Sequence, residues 1–227
     1  MTLLSYQLFI FNDDFSHLSV NDEKSLSFLR SFTDFLPQRN QGIEFEVKDN
    51  KLTQNVIDSI DLRSLDNKWS IDFKPRQILL AYNHNSTNET YSLGDFRNDV
   101  LNLITKISAE ISFDKSIRLG FVRNAIDENS QDFIGENTSF PNENVCKNEI
   151  IEKTIRLGLR KKSSRLGELI NHVKSKTYSL DAMIGNTNFS GIHILDDINT
   201  LTSNLNPRFG VKEIGLFLNE IESVLEG

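Results

Sequence analysis

The sequence predicts an α+β fold, a mainly antiparallel sheet with helices packed on one face, as a single domain over residues 1–227. Three observations lead there. Several short segments alternate apolar and polar side chains, as strands with one dry and one wet face do. Three longer segments space their apolar residues by three and four, as amphipathic helices do. The two kinds of segment are interleaved along the chain without a fixed period, so a solenoid is not expected.

The elements follow in order. Leu3 to Phe11 is an apolar run with Tyr6, Phe9 and Phe11, a strand closed by Asn12, Asp13 and Asp14. Ser25 to Leu36 carries Leu26, Leu29, Phe32, Phe35 and Leu36, a helix that Pro37 is expected to end. Ile43, Phe45 and Val47 alternate with Glu44, Glu46 and Lys48, a strand. Lys68 to Phe73 alternates again, and Arg76 to Tyr82 forms a second apolar run, with Pro75 between them at a turn or bulge.

After the polar tip Asn83 to Thr90, a long helix begins at Ser92, with Phe96, Val100, Leu103, Ile104, Ile107 and Ile111 on one face. Ser92 and Asp95 have the spacing of a capping box, with Asp in the place of Glu or Gln. Ile117 to Asn124 reads as a strand, and Ala125 to Lys153 as a long polar, acidic loop or flap. Thr154 to Arg160 places Ile155, Leu157 and Leu159 on one face and Arg156 and Arg160 on the other. A short helix is expected over Leu166 to Val173, a strand over Phe189 to Asp197 and a closing helix over Val211 to Leu225.

Composition sets the outer limits. Hydrophobic residues make up 38% and charged residues 25%, which leaves collagen-like, membrane-spanning and wholly disordered classes behind. The opening MTLLSYQLFIF has neither a basic leader nor a small-residue cleavage site, so a cytoplasmic protein is expected. Asn-x-Ser/Thr triplets at Asn85, Asn88, Asn137 and Asn188 would matter only in a secreted chain. Cys146 is the single cysteine, which excludes an intrachain disulfide and a cysteine-built metal site.

Catalytic signatures are scarce. The eleven glycines are scattered, so no Walker or dinucleotide loop is present and no cofactor is expected. Cys146 sits among carboxylates, which disfavour its thiolate, and no nucleophile elbow occurs. The best metal candidate is His193 with Asp196 and Asp197, the basis of an alternative reading as a metal-dependent hydrolase or nuclease. Strand alternation opposes it, because His193 and Asp197 fall on one face and Asp196 on the other. Neither a metal nor a catalytic residue is therefore assigned.

Charge says more. The chain carries a net −7, yet residues 153–176 hold eight lysines and arginines against Glu168 alone. The acidic stretch 125–152 lies directly before them, so intramolecular neutralisation is one expectation. The other is a basic strand face of Arg118, Arg156 and Arg160, aided by Lys161 and Lys162, that receives an acidic or phosphate-bearing partner. Arg118 enters that face only if the two copies of the tetrapeptide IRLG, at Ile117–Gly120 and Ile155–Gly158, lie on neighbouring strands. Another protein is the expected partner; the sequence pI of about 5.2 weighs against nucleic acid, and no membrane is involved. A structural subunit of a larger complex is a third reading.

Six stretches also carry a resemblance: LSFLRSFTDFLPQRN, WSIDFKPRQILLAYN, YSLGDFRNDVLNLI, SIRLGFVRNAID, and GIHILDDINTL followed by VKEIGLFLNEIESVL. In this order they resemble a sporadically distributed group of uncharacterised bacterial proteins of about this size. The chain departs from that group in lacking a proline-rich opening and at the Asp196–Asp197 step. The resemblance implies an α+β domain without established activity. The group's patchy occurrence suggests an accessory or antitoxin-like role in anti-phage defence. It transfers no site residues.

Overall fold

The computed structural model describes residues 1–12, 22–48, 51–74, 76–84, 90–111, 113–127, 152–184 and 187–226. Its strands are β1 (Thr2–Phe11), β2 (Phe35–Lys48), β3 (Lys51–Ser64), β4 (Trp69–Lys74), β5 (Gln77–Asn83), β6 (Arg118–Asp127), β7 (Glu152–Lys162), β8 (Leu169–Ile184) and β9 (Thr187–Thr200). The helices are α1 (Asp22–Ser31), α2 (Leu93–Ile111) and α3 (Val211–Glu226). All nine strands form one sheet in the order β2-β3-β4-β5-β1-β6-β9-β8-β7, and every neighbouring pair is antiparallel. The expected α+β class holds at this level, with the sheet dominating.

The connectivity repeats a plan. From β1 the chain passes to the far edge at β2 and meanders inward until β5 lies beside β1. From β6 it reaches the opposite edge at β7 and meanders inward until β9 lies beside β6. The two IRLG segments are the starts of β6 and part of β7, with β9 and β8 between them. They do not pair, and they do not occupy equivalent places in the two halves.

Register defines two faces, since residues directly opposite in a ladder share a face. Leu8 opposes both Leu80 and Phe121, and Phe121 opposes Ile198. These four are buried in one core with Phe28 of α1, Phe96, Val100 and Ile104 of α2, and Ile214, Phe217 and Leu218 of α3. All sheet residues of that core lie on this face, so the helices pack there. Each fully buried aromatic or aliphatic side chain contributes about 1.5–3 kcal/mol relative to exposure.

Aromatic contacts fix the helices in place. Phe28 stacks on Phe73 at 4.9 Å, and Phe96 lies flat against Trp69 at 5.5 Å. The start of α2 is a true capping box. The Asp95 N–H donates to Ser92 Oγ at 3.1 Å and the Ser92 N–H to Asp95 Oδ2 at 3.0 Å. Ser92 Oγ also donates to Asp95 Oδ2 at 2.6 Å, and this bond, followed by the one from the Ser92 N–H, holds the Asp95 carboxyl below its usual range.

Several boundaries differ from expectation. The first helix stops at Ser31, and Leu36 and Pro37 belong to β2, whose place at the sheet edge tolerates a proline without a donor. Lys51–Ser64 is a strand that the sequence did not reveal. The expected helix over 166–173 is instead a turn leading into β8. Gly167 is left-handed (φ 70°) and its N–H donates to the Ser163 carbonyl at 3.0 Å, which reverses the chain. Pro75 and the loop expected over 125–153 fall largely outside the described residues; within that range Ala125–Asp127 complete β6, and β7 begins at Glu152.

Candidate functional site: the basic edge strand

β7 ends the sheet, so only β8 pairs with it among the described residues. Its register with β8 places Lys153, Ile155, Leu157, Leu159 and Lys161 on the helix-bearing side of the sheet. Thr154, Arg156, Gly158, Arg160 and Lys162 lie on the reverse face. Among the described residues no helix covers the middle of β7 on the first side, where Ile155, Leu157 and Leu159 are 45%, 53% and 53% exposed. The strand is thus amphipathic, and no described core buries its apolar stripe.

The five basic residues expected to form one surface separate into three situations. Arg156 and Lys162 are exposed, and among the described residues nothing pairs with either. Arg160 is exposed, and its Nε donates to the neutral Asn171 Oδ1 at 2.7 Å across the ladder. These three form a basic row that no described carboxylate neutralises.

Lys161 points the other way. Its Nζ meets Glu220 Oε1 of α3 at 2.8 Å, while Ser163 Oγ donates to Glu220 Oε2 at 2.8 Å. Burial alone would push the Glu220 carboxyl up. The bonds from Lys161 and Ser163, the Lys161 charge and the Arg165 N–H together outweigh it, and the group is held below its ordinary value. Lys161 is therefore a clamp between the end of β7 and α3.

Arg118 stands apart on β6. It shares the reverse face, but β9 and β8 intervene, so it does not join the β7 row. Its guanidinium lies over the Phe11 ring at 4.7 Å and donates from Nη2 to Asn199 Oδ1 at 3.0 Å. Gly120 makes room for this arrangement, since a Cβ there would come within 2.6 Å of Asn199 Oδ1.

The metal candidate does not converge. Asp196 opposes Arg123 on the helix-bearing side, whereas Asp197 opposes Val122 and His193 opposes Ile126 on the reverse face. Asp196 is fully buried and both its oxygens are engaged. Oδ2 accepts from Arg123 Nε at 3.0 Å and Nη2 at 2.6 Å, and Oδ1 meets His172 Nε2 at 2.8 Å. Burial lowers the pKa of His193. Among the described residues no group of three His, Cys, Asp or Glu side chains could hold a metal ion. The three residues do not fit a metal centre, and no hydrolytic step is derived from them.

Sequence reasoning missed the Arg123–Asp196–His172 triad and the Glu220 clamp. Both join residues more than twenty positions apart, and only the register of β6, β8 and β9 or the docking of α3 brings them together. Among the described residues no helix is long and apolar enough to cross a membrane. The fold and site define an antiparallel sheet with one helix-covered face and an exposed, cationic edge strand. Compared with known proteins, the chain matches no family model, no curated protein and no solved structure.

Proposed function

We propose that this chain is a non-enzymatic binding module that captures an extended, acidic segment of a partner protein along β7. The segment adds a strand to the sheet, pairing its backbone with the open edge. Carboxylates on alternate residues meet Arg156, Arg160 and Lys162, and the intervening apolar side chains rest on Ile155, Leu157 and Leu159. One observation carries this reading: among the described residues, no carboxylate neutralises the reverse-face cations of β7.

Lysines on an edge strand commonly serve to repel unwanted strands. The apolar stripe on the opposite side of β7 is not part of such a guard, and it gives a matching segment a surface to bury. Arginine's planar fork also favours paired contact with carboxylates over simple repulsion. An accessory or antitoxin-like role in anti-phage defence is compatible with this module and rests on the resemblance alone.

A fluorescent peptide of alternating Glu and Val tests the reading by anisotropy. The protein is expected to bind it in a salt-sensitive manner, and Arg156→Glu with Arg160→Glu to weaken binding by about tenfold or more, the scale of lost charge-assisted contacts. N-methylation of alternate peptide amides should also weaken it, because a methylated amide cannot donate to a ladder. Equal affinity for the double variant, with folding intact, overturns the proposal.

A further inference from the structure

A second cationic feature lies three strands from β7, where β1 ends and β6 begins. A cleft of about 230 Å³ opens there, lined by Phe11, Asn12, Arg76, Arg118, Thr202 and Asn204 among others. Its volume falls below the roughly 300 Å³ at which ordinary small-molecule sites begin. It suits one charged group with a small attachment.

The cleft is held by main-chain contacts. The Asn12 N–H donates to the Arg76 carbonyl at 3.2 Å, and the Ile117 N–H to the Phe11 carbonyl at 2.9 Å. Arg208 Nη1 donates to the carbonyls of Asn204 and Asn206 at 2.9 and 3.0 Å, which sets the loop that forms one wall. The guanidinium of Arg208 is itself neutralised by Glu168.

The two arginines that line the cleft are not neutralised. Arg76 is exposed, and among the described residues its side chain has no partner. Arg118 meets a neutral amide and a ring, and its buried Nε has no hydrogen-bond partner. Among the described residues no acidic side chain lines the cleft. Neutral donors complete the wall. Thr202 supplies a hydroxyl, and Asn204 Oδ1 is already occupied by the Asn206 N–H at 3.1 Å, which leaves its amide nitrogen to donate.

Two arginines bordering one small cleft favour an anion that carries two charges and several acceptor oxygens. We propose that this cleft binds the phosphate of a small phosphate monoester, with Arg76 and Arg118 as its charged ligands. A carboxylate would leave one of the two positive charges uncompensated. The half-buried Phe11 and exposed Leu205 border the same cleft and offer apolar contact to the ester's organic part.

Calorimetric titration with glycerol 3-phosphate, inorganic phosphate and acetate tests the assignment. Glycerol 3-phosphate is expected to bind at least as well as inorganic phosphate, and acetate not measurably. Arg76→Gln, on an exposed turn, and Arg118→Lys, which keeps the charge but not the fork, should each weaken binding about tenfold. Arg156→Glu with Arg160→Glu should leave it unchanged, which separates this site from the edge strand. No binding of either phosphate probe, or binding that Arg76→Gln and Arg118→Lys leave intact, overturns the site. Binding of inorganic phosphate without the ester overturns the choice of ligand.

Discussion

The same four residues, Ile-Arg-Leu-Gly, run into β6 and form part of β7, and they meet opposite fates. In the β6 copy Leu119 is fully buried, Arg118 is pinned between Phe11 and Asn199, and Gly120 has an amide almost on top of it. In the β7 copy Leu157 is 53% exposed, Arg156 meets no described side chain, and nothing approaches within 4 Å of a Cβ built on Gly158. The same leucine is thus core on an inner strand and exposed on an edge strand, and the same arginine is held by neighbours in one copy and meets none in the other. Position in the sheet, not local sequence, decides which residues remain available to a partner.

The contrast yields graded predictions. The largest concerns the leucines. Leu119→Ala should cost about 2–5 kcal/mol in denaturant unfolding, the range for an aliphatic truncation in a packed core. Leu157→Ala should stay within about 0.5 kcal/mol, as surface changes do. Similar losses for both would mean that β7 is buried in solution and would break the comparison.

The glycines come next. Gly120→Ala must displace Asn199 and release Arg118, at about 1–3 kcal/mol for a forced shift in a packed place. Gly158→Ala has open space and should be neutral or stabilise by up to about 1 kcal/mol, since glycine weakens a strand relative to alanine. Thermal midpoints of the two variants should therefore move in different directions or by clearly different amounts.

The smallest effect sharpens the one exception on β7. Lys161 is tied to Glu220, whose carboxyl is held below its unfolded value. A depressed carboxylate contributes stability that is fully present above the unfolded pKa, about 4.3, and is lost as pH falls through the lower folded value. The stability difference between the native chain and Glu220→Gln should accordingly shrink as pH falls below about 4.3. Because Lys161 is half exposed, the effect should be under about 1 kcal/mol. Unfolding curves across that interval provide the check.

What the sequence made legible follows the same division. The helices α2 and α3 announce themselves because a single continuous stripe packs on the sheet, from Phe96 to Ile107 and from Ile214 to Ile221. The alternation of Ile155 to Arg160 likewise gave the two faces of β7 correctly. β3 escaped notice because its outer half, with Thr53 and Gln54, pairs only with β2 and has no core to mark one face apolar. β8 was hidden by Gly167 and by its polar residues on both faces, such as Asn171, His172, Lys174 and Ser175.

The candidate site was half legible for the same reason. Arg156 and Arg160 follow from alternation along one strand, whereas Lys162 lies beyond the stretch in which the sequence alternates. The removal of Arg118 from their surface depends on strand order, and the capture of Lys161 depends on where α3 docks. Neither is a local property of the chain. Asp196 shows the limit plainly, since its partners Arg123 and His172 come from two other strands.

Hydrogen exchange on the backbone amides, with and without the alternating Glu-Val peptide, is the most direct test of strand capture. The outward-facing amides of residues 152–162 should exchange quickly in the free protein and slow on addition of the peptide, while the central strands β1 and β6 stay unchanged. If the peptide binds and these amides keep their fast exchange, β7 is not the receiving edge.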